Sequence, residues 1–372
     1  MSQTAARGSG DEYAVRWYQA GDRDGILSLY EREWGRRPSR EWFEWKYLED
    51  PYLSHVPVNV AVREAGPWGA DEVVGVQAYV PFRLRWGDET TLALQPADAV
   101  VDADHRRNGL YSRLTEDAIA RYEAGRPAFF FNYPNPGAFR AQREFGWVGV
   151  EQVATHYRLQ DPAALAGESE RVPAALAEAA TPVLDGCLAL CDRTAPAAAG
   201  LTVDRHDGVP VGALTDLYAA RPDGLHADRD EAFLDWWYSN PSFDHATYVA
   251  RDADGPVAAF VTRTGNGDRV RLLDALPLSG GPHGAFGRLL AAWVDDDADA
   301  AVLAVAESTL PPALLARYGF VPDDAPVIAR YCTGVRLAAR PLADGEDTTA
   351  PGRAALADPS DWALTFAEQD RF

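Results

Sequence analysis

This sequence of 372 residues almost lacks lysine, since Lys46 is the only one among 35 basic residues. Acidic residues number 56, which gives a formal net charge of −21. An acidic excess with so little lysine is typical of a surface adapted to high salt, and we expect a halophilic source. The charge then concerns solubility and says little about partners. A nucleic-acid-binding role is disfavoured, because no broad basic face can be assembled.

Long hydrophobic runs are also absent, and no window approaches the roughly 18 apolar residues that a bilayer-spanning helix needs. The N-terminal stretch MSQTAARGSGDEY is polar and lacks the apolar segment of a signal peptide. We therefore expect a cytoplasmic protein with no membrane partner. The length and a hydrophobic content of 47% favour two packed domains.

Cysteine is scarce, with Cys187 and Cys191 spaced CxxxC and Cys332 far from both. A zinc site needs four ligands at recognisable spacing, and no second Cys or His pair accompanies them. We interpret the three as reduced and mostly buried thiols. The seven histidines form no ligand pattern either, so we predict no metal.

What the sequence does contain is an internal repeat, because residues 29–52 resemble residues 217–243. Both segments begin with Leu-Tyr, continue with an aromatic-rich helix and close with proline and an aromatic residue. In these helices Glu44-Trp45-Lys46-Tyr47 aligns with Asp235-Trp236-Trp237-Tyr238. Three strand-like segments, a glycine-containing loop and a helix follow in each half. Each half then adds a strand and a short helix that ends in Gly-aromatic.

The repeat predicts two domains, each with the order β-α-α-β-β-β-α-β-α-β. Antiparallel hairpins followed by βα crossovers indicate an α/β fold with mixed sheets and helices on both faces. We place an N-terminal domain at 1–159, a connection at 160–199, a C-terminal domain at 200–338 and a tail at 339–372. Within the connection, residues 174–180 have helical composition, whereas the tail has loop composition and is expected on the surface.

The aromatic side chains of the first repeated helix are Trp42, Phe43, Trp45 and Tyr47. Their helical spacing favours a hydrophobic face that packs on the sheet. A wall of an acceptor-binding groove is the alternative interpretation.

The stretch VVDADHRRNGLYSRL, from Val100 to Leu114, places two arginines and a glycine before a helix that begins near Leu110. Spacings of four predict an apolar face on this helix, formed by Leu110, Leu114, Ala118 and Tyr122. The first turn of a helix leaves backbone N–H groups unpaired and carries positive potential. Gly109 permits a left-handed conformation, while Arg106 and Arg107 add charge. Together these features indicate a phosphate or pyrophosphate site. An ordinary loop with solvated arginines, His105 among its solvated residues, is the alternative.

This order of elements resembles the GNAT N-acetyltransferase superfamily, whose cofactor motif is Val-x-x-x-x-(Arg/Gln)-x-x-Gly-x-(Gly/Ala). The match runs from Val101 through Arg106 and Gly109, and it departs at Tyr111, where Gly or Ala is usual. The resemblance covers roughly residues 12–158 well and residues 200–338 in outline. It implies two tandem acyl-CoA N-acyltransferase-like domains, each a mostly antiparallel twisted sheet flanked by helices.

The resemblance further implies acetyl-CoA, or another acyl-CoA, as cosubstrate and a small-molecule or peptide amine as acceptor. The amine would attack the thioester directly. Main-chain groups of three strand residues would bind the pantetheine arm, namely Ala99, Val100 and Val101. Phe129 to Phe131 would form the other side of a splayed strand pair that ends at Asn132. Backbone N–H groups of the loop would hold the pyrophosphate, namely those of Arg106, Arg107, Asn108, Gly109, Leu110 and Tyr111.

The usual proton donor of the family is absent, because many relatives place a tyrosine acid where this chain has Gln142. Glutamine cannot donate a proton as an acid. Tyr133 is a substitute general acid, or else a core aromatic. Asp98, two residues before Val100, is a candidate general base acting directly or through water, or else a strand-edge carboxylate.

The corresponding loop of the second half holds Gly281, Pro282 and Gly284. Pro282 removes one backbone donor, and no arginine precedes Gly284 at the motif spacing. We therefore expect one cosubstrate site, in the N-terminal half. Two rival interpretations stay open: an aminoacyl or peptidyl transferase with paired GNAT folds, and a regulatory module that binds CoA without turnover. Oligomeric state cannot be read from the sequence.

Overall fold

The computed structural model describes residues 12–64, 71–162, 174–194, 200–265, 269–326, 328–329, 334–342 and 350–370. The chain divides into two compact units. The first consists of Met1–Arg83, Thr91–Asn132 and Arg340–Ala350, and the second of Leu84–Thr90, Tyr133–Ala339 and Pro351–Phe372. The domain boundaries inferred from the sequence stay a prediction.

The first unit is built on five strands and three helices, and the tip of its β3–β4 hairpin belongs to the second unit. The strands are β1 (Tyr13–Trp17), β2 (Val58–Arg63), β3 (Glu72–Trp86), β4 (Glu89–Val101) and β5 (Phe129–Asn132). The helices are α1 (Arg23–Trp34), α2 (Arg40–Tyr47) and α3 (Leu110–Glu123).

These strands follow the spatial order β1-β2-β3-β4-β5. The β1–β2 and β2–β3 pairs are antiparallel, whereas β4 and β5 run parallel. Helix α3 supplies the crossover that a parallel pair requires. Its predicted apolar face is confirmed, because Leu110, Leu114, Ala118 and Tyr122 are each at most 2% exposed. Leu110 and Leu114 pack on β2 and β3 and so fix the start of α3 beside the sheet.

The second unit contains the remaining elements. Its helices are α4 (Pro136–Arg143), α5 (Ala174–Thr194), α6 (Val211–Leu217), α7 (Glu231–Trp237), α8 (His283–Asp296), α9 (Pro312–Arg317) and α10 (Arg353–Ala357). Its strands are β6 (Val148–Val153), β7 (Thr155–Leu159), β8 (Thr202–Asp207), β9 (His226–Ala227), β10 (Asp244–Arg251), β11 (Pro256–Thr264), β12 (Arg269–Leu276), β13 (Val302–Ala306), β14 (Val321–Pro322) and β15 (Val335–Pro341).

Seven of these strands form one sheet in the order β14-β7-β13-β12-β11-β10-β8. Strand β7, which the sequence assigned to the N-terminal domain, pairs antiparallel with β13. Strand β15 pairs antiparallel with β6. Helix α8 covers the seven-stranded sheet with an apolar face centred on Leu289, Leu290 and Trp293, all fully buried. The mixed α/β fold predicted from the sequence is confirmed.

The internal repeat extends to individual hydrogen bonds. Ser39 caps α2 by accepting from the Trp42 N–H at 3.0 Å, and Asp230 caps α7 by accepting from the Phe233 N–H at 2.8 Å. A tyrosine stands at the same spacing from each cap. Tyr47 is the last residue of α2, and Tyr238 directly follows α7. The aromatic face of α2 is buried, which confirms the interpretation as a packing surface.

Two expectations from the sequence were wrong. Cys187 is exposed and Cys191 half-buried, because α5 turns the first of them outward; neither forms a disulfide with a residue that the structure describes. Cys332 lies outside the described residues. The tail does not simply lie on the surface either, since Phe366, Ala367 and Glu368 are buried in the second unit. A buried carboxylate in a segment of loop composition gives no periodic signal, so composition could not reveal this packing.

Candidate functional site

The predicted site lies where β4 and β5 part in the first unit. Their parallel register joins Ala93 to Phe129 and Leu94 to Phe130. Strand β4 then continues to Val101, well past this pairing. Ala99 is exposed, and Val100 and Val101 are half-buried. The backbone of this end of β4 therefore lies beside a divergence of two parallel strands, as the resemblance implies.

The loop after β4 has an irregular backbone. A short 3-10 turn over Ala103–His105 is followed by Arg107 at φ 67° and Gly109 at φ 69°. Gly109 then serves as the N-cap of α3. Among the described residues, no backbone carbonyl accepts from the N–H groups of residues 106–109. Left-handed residues that alternate with extended or right-handed ones turn successive N–H groups to one side, which creates a concavity for an anion.

The two arginines of the loop differ in their surroundings. Arg106 donates through Nε to the Val101 carbonyl at 3.1 Å and pairs through its guanidinium with Glu33. Arg107 is exposed and forms no ion pair with any residue that the structure describes. Arg106 therefore ties the loop to α1 and β4, whereas the Arg107 side chain lies in solvent beside the predicted site.

Helix α1 supports the same loop from its C-terminal end. Arg32 binds the Asp102 carboxylate through two nitrogens at 2.9 and 3.1 Å, and Glu33 accepts from the Ala103 N–H at 2.8 Å. Partial burial of Asp102 opposes its ionisation, but the Asp104 N–H and the Arg32 guanidinium lower its pKa overall. Sequence reasoning missed this support, because the contacts join residues about 70 positions apart in the chain.

His105 is not the solvated loop residue that the sequence suggested. It is only 9% exposed, and its Nδ1 lies 2.9 Å from the Tyr13 hydroxyl of β1. The Tyr13 ring also meets its edge at a centroid distance of 5.7 Å. Tyr111, where the motif departs from the usual pattern, is half-buried, and this burial raises its pKa. The contact between His105 and Tyr13 thus joins the loop to β1.

Asp98 stands in an unusual position on β4. Its φ of 50° is one of only two positive values at non-glycine residues in the described part of the chain. Its Oδ2 accepts from the Lys46 ammonium at 2.6 Å and from the Tyr47 hydroxyl, while its carbonyl accepts from the Tyr30 hydroxyl at 3.3 Å. Lys46 is fully buried. One sign of this contact is visible in the sequence, which is that the single lysine of the chain lies within an aromatic helix.

Tyr133, the other predicted catalytic residue, directly follows β5 and belongs to the second unit. Its side chain is 7% exposed. Gln142 lies on α4 of the same unit, is 5% exposed, and its Oε1 has no hydrogen-bond partner among the described residues. The catalytic roles of Asp98 and Tyr133 stay predictions, as does the contact of Asn132 with the cosubstrate.

In the second half, the loop that corresponds to the predicted site is filled by its own chain. Pro282 is the N-cap of α8 and offers no N–H. The Phe286 ring lies so close to Gly281 that a Cβ added there would be 2.2 Å from it. Phe286 stands at the repeat position of Tyr111. This loop therefore has one backbone donor fewer, and the Phe286 ring occupies the space beside Gly281.

A cavity of about 730 Å³ lies elsewhere in the second unit, below α5 and α8. Two of the arginines that line it are paired, Arg158 with Asp192 at 2.8 Å and Arg205 with Asp296 at 2.6 Å. Across the described residues there is no cluster of three or more metal-ligating side chains. The described helices likewise include none that is both long and apolar enough to span a membrane.

Comparison with known proteins agrees with this geometry. Residues 14–149 match the model of an acetyltransferase (GNAT) domain. The match contains β4, the loop and α3, and it ends shortly before β6 is complete. No curated protein matches the chain.

Solved structures share the GNAT fold over most of the chain. A GCN5-related N-acetyltransferase from Anabaena variabilis has a TM-score of 0.58 at 14% identity, over 89% of this chain and 73% of that one. A probable N-acyltransferase from Enterococcus faecalis has a TM-score of 0.60 at 11% identity, over 89% and 72%. A GCN5-related N-acetyltransferase from Kribbella flavida has 0.55 at 15% identity, over 88% and 71%. The likeness is consistent with two tandem GNAT-like domains, and with the domain match it supports an acyltransferase.

Proposed function

We propose that this protein is an N-acyltransferase that moves an acyl group, most simply acetyl, from acyl-CoA to an amine. One observation carries the proposal: successive backbone N–H groups of residues 106–109 have no carbonyl acceptor and precede the 14-residue helix α3. Such groups, together with the positive end of the helix, fit a pyrophosphate. Arg107 adds a cation, and the end of β4 from Ala99 to Val101, beyond its pairing with β5, offers main-chain partners to the pantetheine arm.

In the proposed reaction the amine nitrogen forms a bond to the thioester carbonyl carbon, and the carbon–sulfur bond breaks. The amine loses a proton, and the CoA thiolate gains one. The residues of the chain then contribute position and polarisation rather than a covalent intermediate. Tyr133 is the proposed donor to the thiolate. The acceptor would be a small molecule or a peptide amine.

A matched pair of glycine variants tests the single site. Gly109 and Gly280 both have a left-handed φ, and an added Cβ would meet nothing within 4 Å at either. Valine strains both backbones to the same degree. Gly109→Val should weaken CoA binding about 10- to 100-fold, whereas Gly280→Val should leave it unchanged. Isothermal titration with CoA measures both; equal losses, or none at Gly109, would contradict the one-site proposal.

A second candidate function is a CoA-binding module without turnover. It is favoured by Gln142, which stands where a tyrosine acid is usual and is buried. Thiol release from acetyl-CoA, measured with a panel of primary amines, separates the two. Release that depends on any one amine eliminates the non-catalytic module. Tight CoA binding with no release from any amine would leave it as the better description.

A further inference from the structure

A buried contact joins the end of α2 to β4. We propose that Lys46 and Tyr47 form a clamp that holds Asp98 in its left-handed conformation and thereby aims the cosubstrate-binding end of β4. Asp98 is then a positioning residue instead of a general base. This inference rests on the proposed acyl-CoA function of the same strand.

The contacts converge on a single residue. Two donors, the Lys46 ammonium and the Tyr47 hydroxyl, meet the Asp98 Oδ2, and the Tyr30 hydroxyl meets the Asp98 carbonyl. All three donor side chains are at most 1% exposed. A non-glycine residue at positive φ is unfavourable and persists only where its surroundings over-determine it. The clamp holds the Asp98 carboxylate, and the Tyr30 hydroxyl holds the Asp98 carbonyl, so both the side chain and the backbone of this residue are fixed.

The ammonium is held as firmly as the carboxylate. Lys46 Nζ lies 5.0 Å from the Trp42 ring centroid and 5.5 Å from that of Tyr47, close enough for cation–π attraction. A fully buried lysine without its carboxylate would be strongly destabilising. The Asp98 Oδ2 therefore stays paired with the Lys46 ammonium. This pairing favours a positioning role, because the paired oxygen is poorly placed to accept a proton from the amine.

The second half provides a natural contrast. There Tyr238 donates to the Asp274 Oδ2 at 2.6 Å, which repeats the Tyr47–Asp98 contact. The cation is Arg229, bound to Asp274 at 2.7 Å, and Thr365 of the tail completes the cluster. Asp274 is not among the described residues with positive φ. A tyrosine and a cation on an aspartate therefore do not by themselves impose a positive φ; in the first half they stabilise one on the strand that leads into the predicted loop.

The clamp matters because of the residues that follow Asp98 on β4. The φ of Asp98 sets the direction of β4 just before Ala99, Val100 and Val101. Misplacement of a bound thioester by about 1 Å is enough to cost about 100-fold in rate. Lys46→Met keeps the length and apolar stem of the side chain but removes the ammonium, so the clamp should loosen without a cavity.

The decisive experiment compares Lys46→Met with the double variant Lys46→Met/Asp98→Gly in the full-length protein. Glycine adopts positive φ without strain, so it needs no clamp. The single variant should lose about 10- to 100-fold in kcat/KM for acetyl-CoA, and the double variant should regain most of that loss. A general-base Asp98 would make the double variant at least as inactive as the single one, with the lower limb of its pH–rate profile abolished.

Amide hydrogen exchange provides a readout that does not depend on catalysis. Exchange at Ala99 to Val101 should accelerate in Lys46→Met and, more mildly, in Tyr47→Phe, and it should return toward the parent rate in the double variant. Unchanged exchange in Lys46→Met would overturn the clamp even if acyl transfer is found. If the parent neither binds CoA nor releases thiol, the proposed function fails, while the exchange experiment still decides whether the clamp exists.

Discussion

Arg106 and Arg107 are neighbours in the motif, but they differ in their contacts and backbone conformation. Arg106 is tied to Glu33 and to the Val101 carbonyl, whereas Arg107 is exposed and has a left-handed backbone. The motif predicted both as cosubstrate-binding residues and could not separate them. At the scale of single residues, the tertiary partner decides whether a charge shapes the site or contacts its ligand.

Asp50 provides a prediction at the same scale. Burial raises its pKa to about 6, although the Leu53 and Tyr52 N–H groups that it accepts from act in the opposite direction. Because the folded pKa exceeds that of the unfolded chain, stability falls as the pH rises through about 6. Asp50→Asn keeps an acceptor and removes the buried charge. It should raise the free energy of unfolding at pH 8 by about 1–3 kcal/mol.

Urea denaturation at pH 4, 6 and 8 measures that gain. The variant should differ little from the parent at pH 4 and most at pH 8. A constant difference across the three pH values would show that Asp50 acts through packing instead of ionisation.

At the scale of elements, the two aromatic helices are built alike. Each begins at a capping side chain, Ser39 or Asp230, and each ends near a tyrosine that donates to an aspartate of the sheet, Asp98 or Asp274. The sequence repeat predicted the helices and their aromatic faces. It did not predict their aspartate partners, which come from strands far along the chain.

The cap of α2 should be measurable by itself. Ser39→Ala removes the acceptor for the Trp42 N–H and should lower the free energy of unfolding by about 1 kcal/mol. Ser28→Ala is a suitable control, because the Ser28 hydroxyl donates to the Asp24 carbonyl inside α1 and accepts an exposed hydrogen bond from Arg37, and neither contact caps a helix. Urea denaturation of both variants gives the comparison; equal losses would argue against a specific capping contribution.

At the scale of the whole molecule, the net charge of −21 sets the response to salt. Self-repulsion among 56 acidic residues opposes the compact state, while many surface arginines are already paired with carboxylates. Salt screens both the repulsion among carboxylates and the attraction within surface ion pairs. Because acidic residues are in excess, the relief of repulsion should be the larger effect, and salt should stabilise the fold. Halophilic adaptation stays a prediction.

Thermal unfolding in increasing salt tests the balance. The midpoint should rise by several degrees between 0.01 M and about 0.5 M NaCl as repulsion is screened. A further rise in molar KCl is expected of a high-salt protein. A midpoint that falls with salt would mean that the surface ion pairs outweigh the repulsion.

Several features of the protein followed from the sequence alone. The repeat, the order of elements, the apolar face of α3 and the left-handed Gly109 all depend on local patterns, whose periodicity and conformational limits are properties of neighbouring residues. The loss of a backbone donor in the second loop could also be predicted locally, from Pro282. These features account for the α/β fold and for the place of the predicted phosphate cradle.

Tertiary structure alone decided the rest. Lys46 meets Asp98 across 52 positions of sequence, Glu33 supports Ala103 across 70, and Thr365 joins Asp274 across 91. Strand β7 finds its partner in β13 of the seven-stranded sheet. No periodic pattern encodes such pairs, because each depends on which surfaces meet after the chain has folded. The prediction of a phosphate site therefore came from the sequence, whereas the contacts around that loop arise from packing between distant segments.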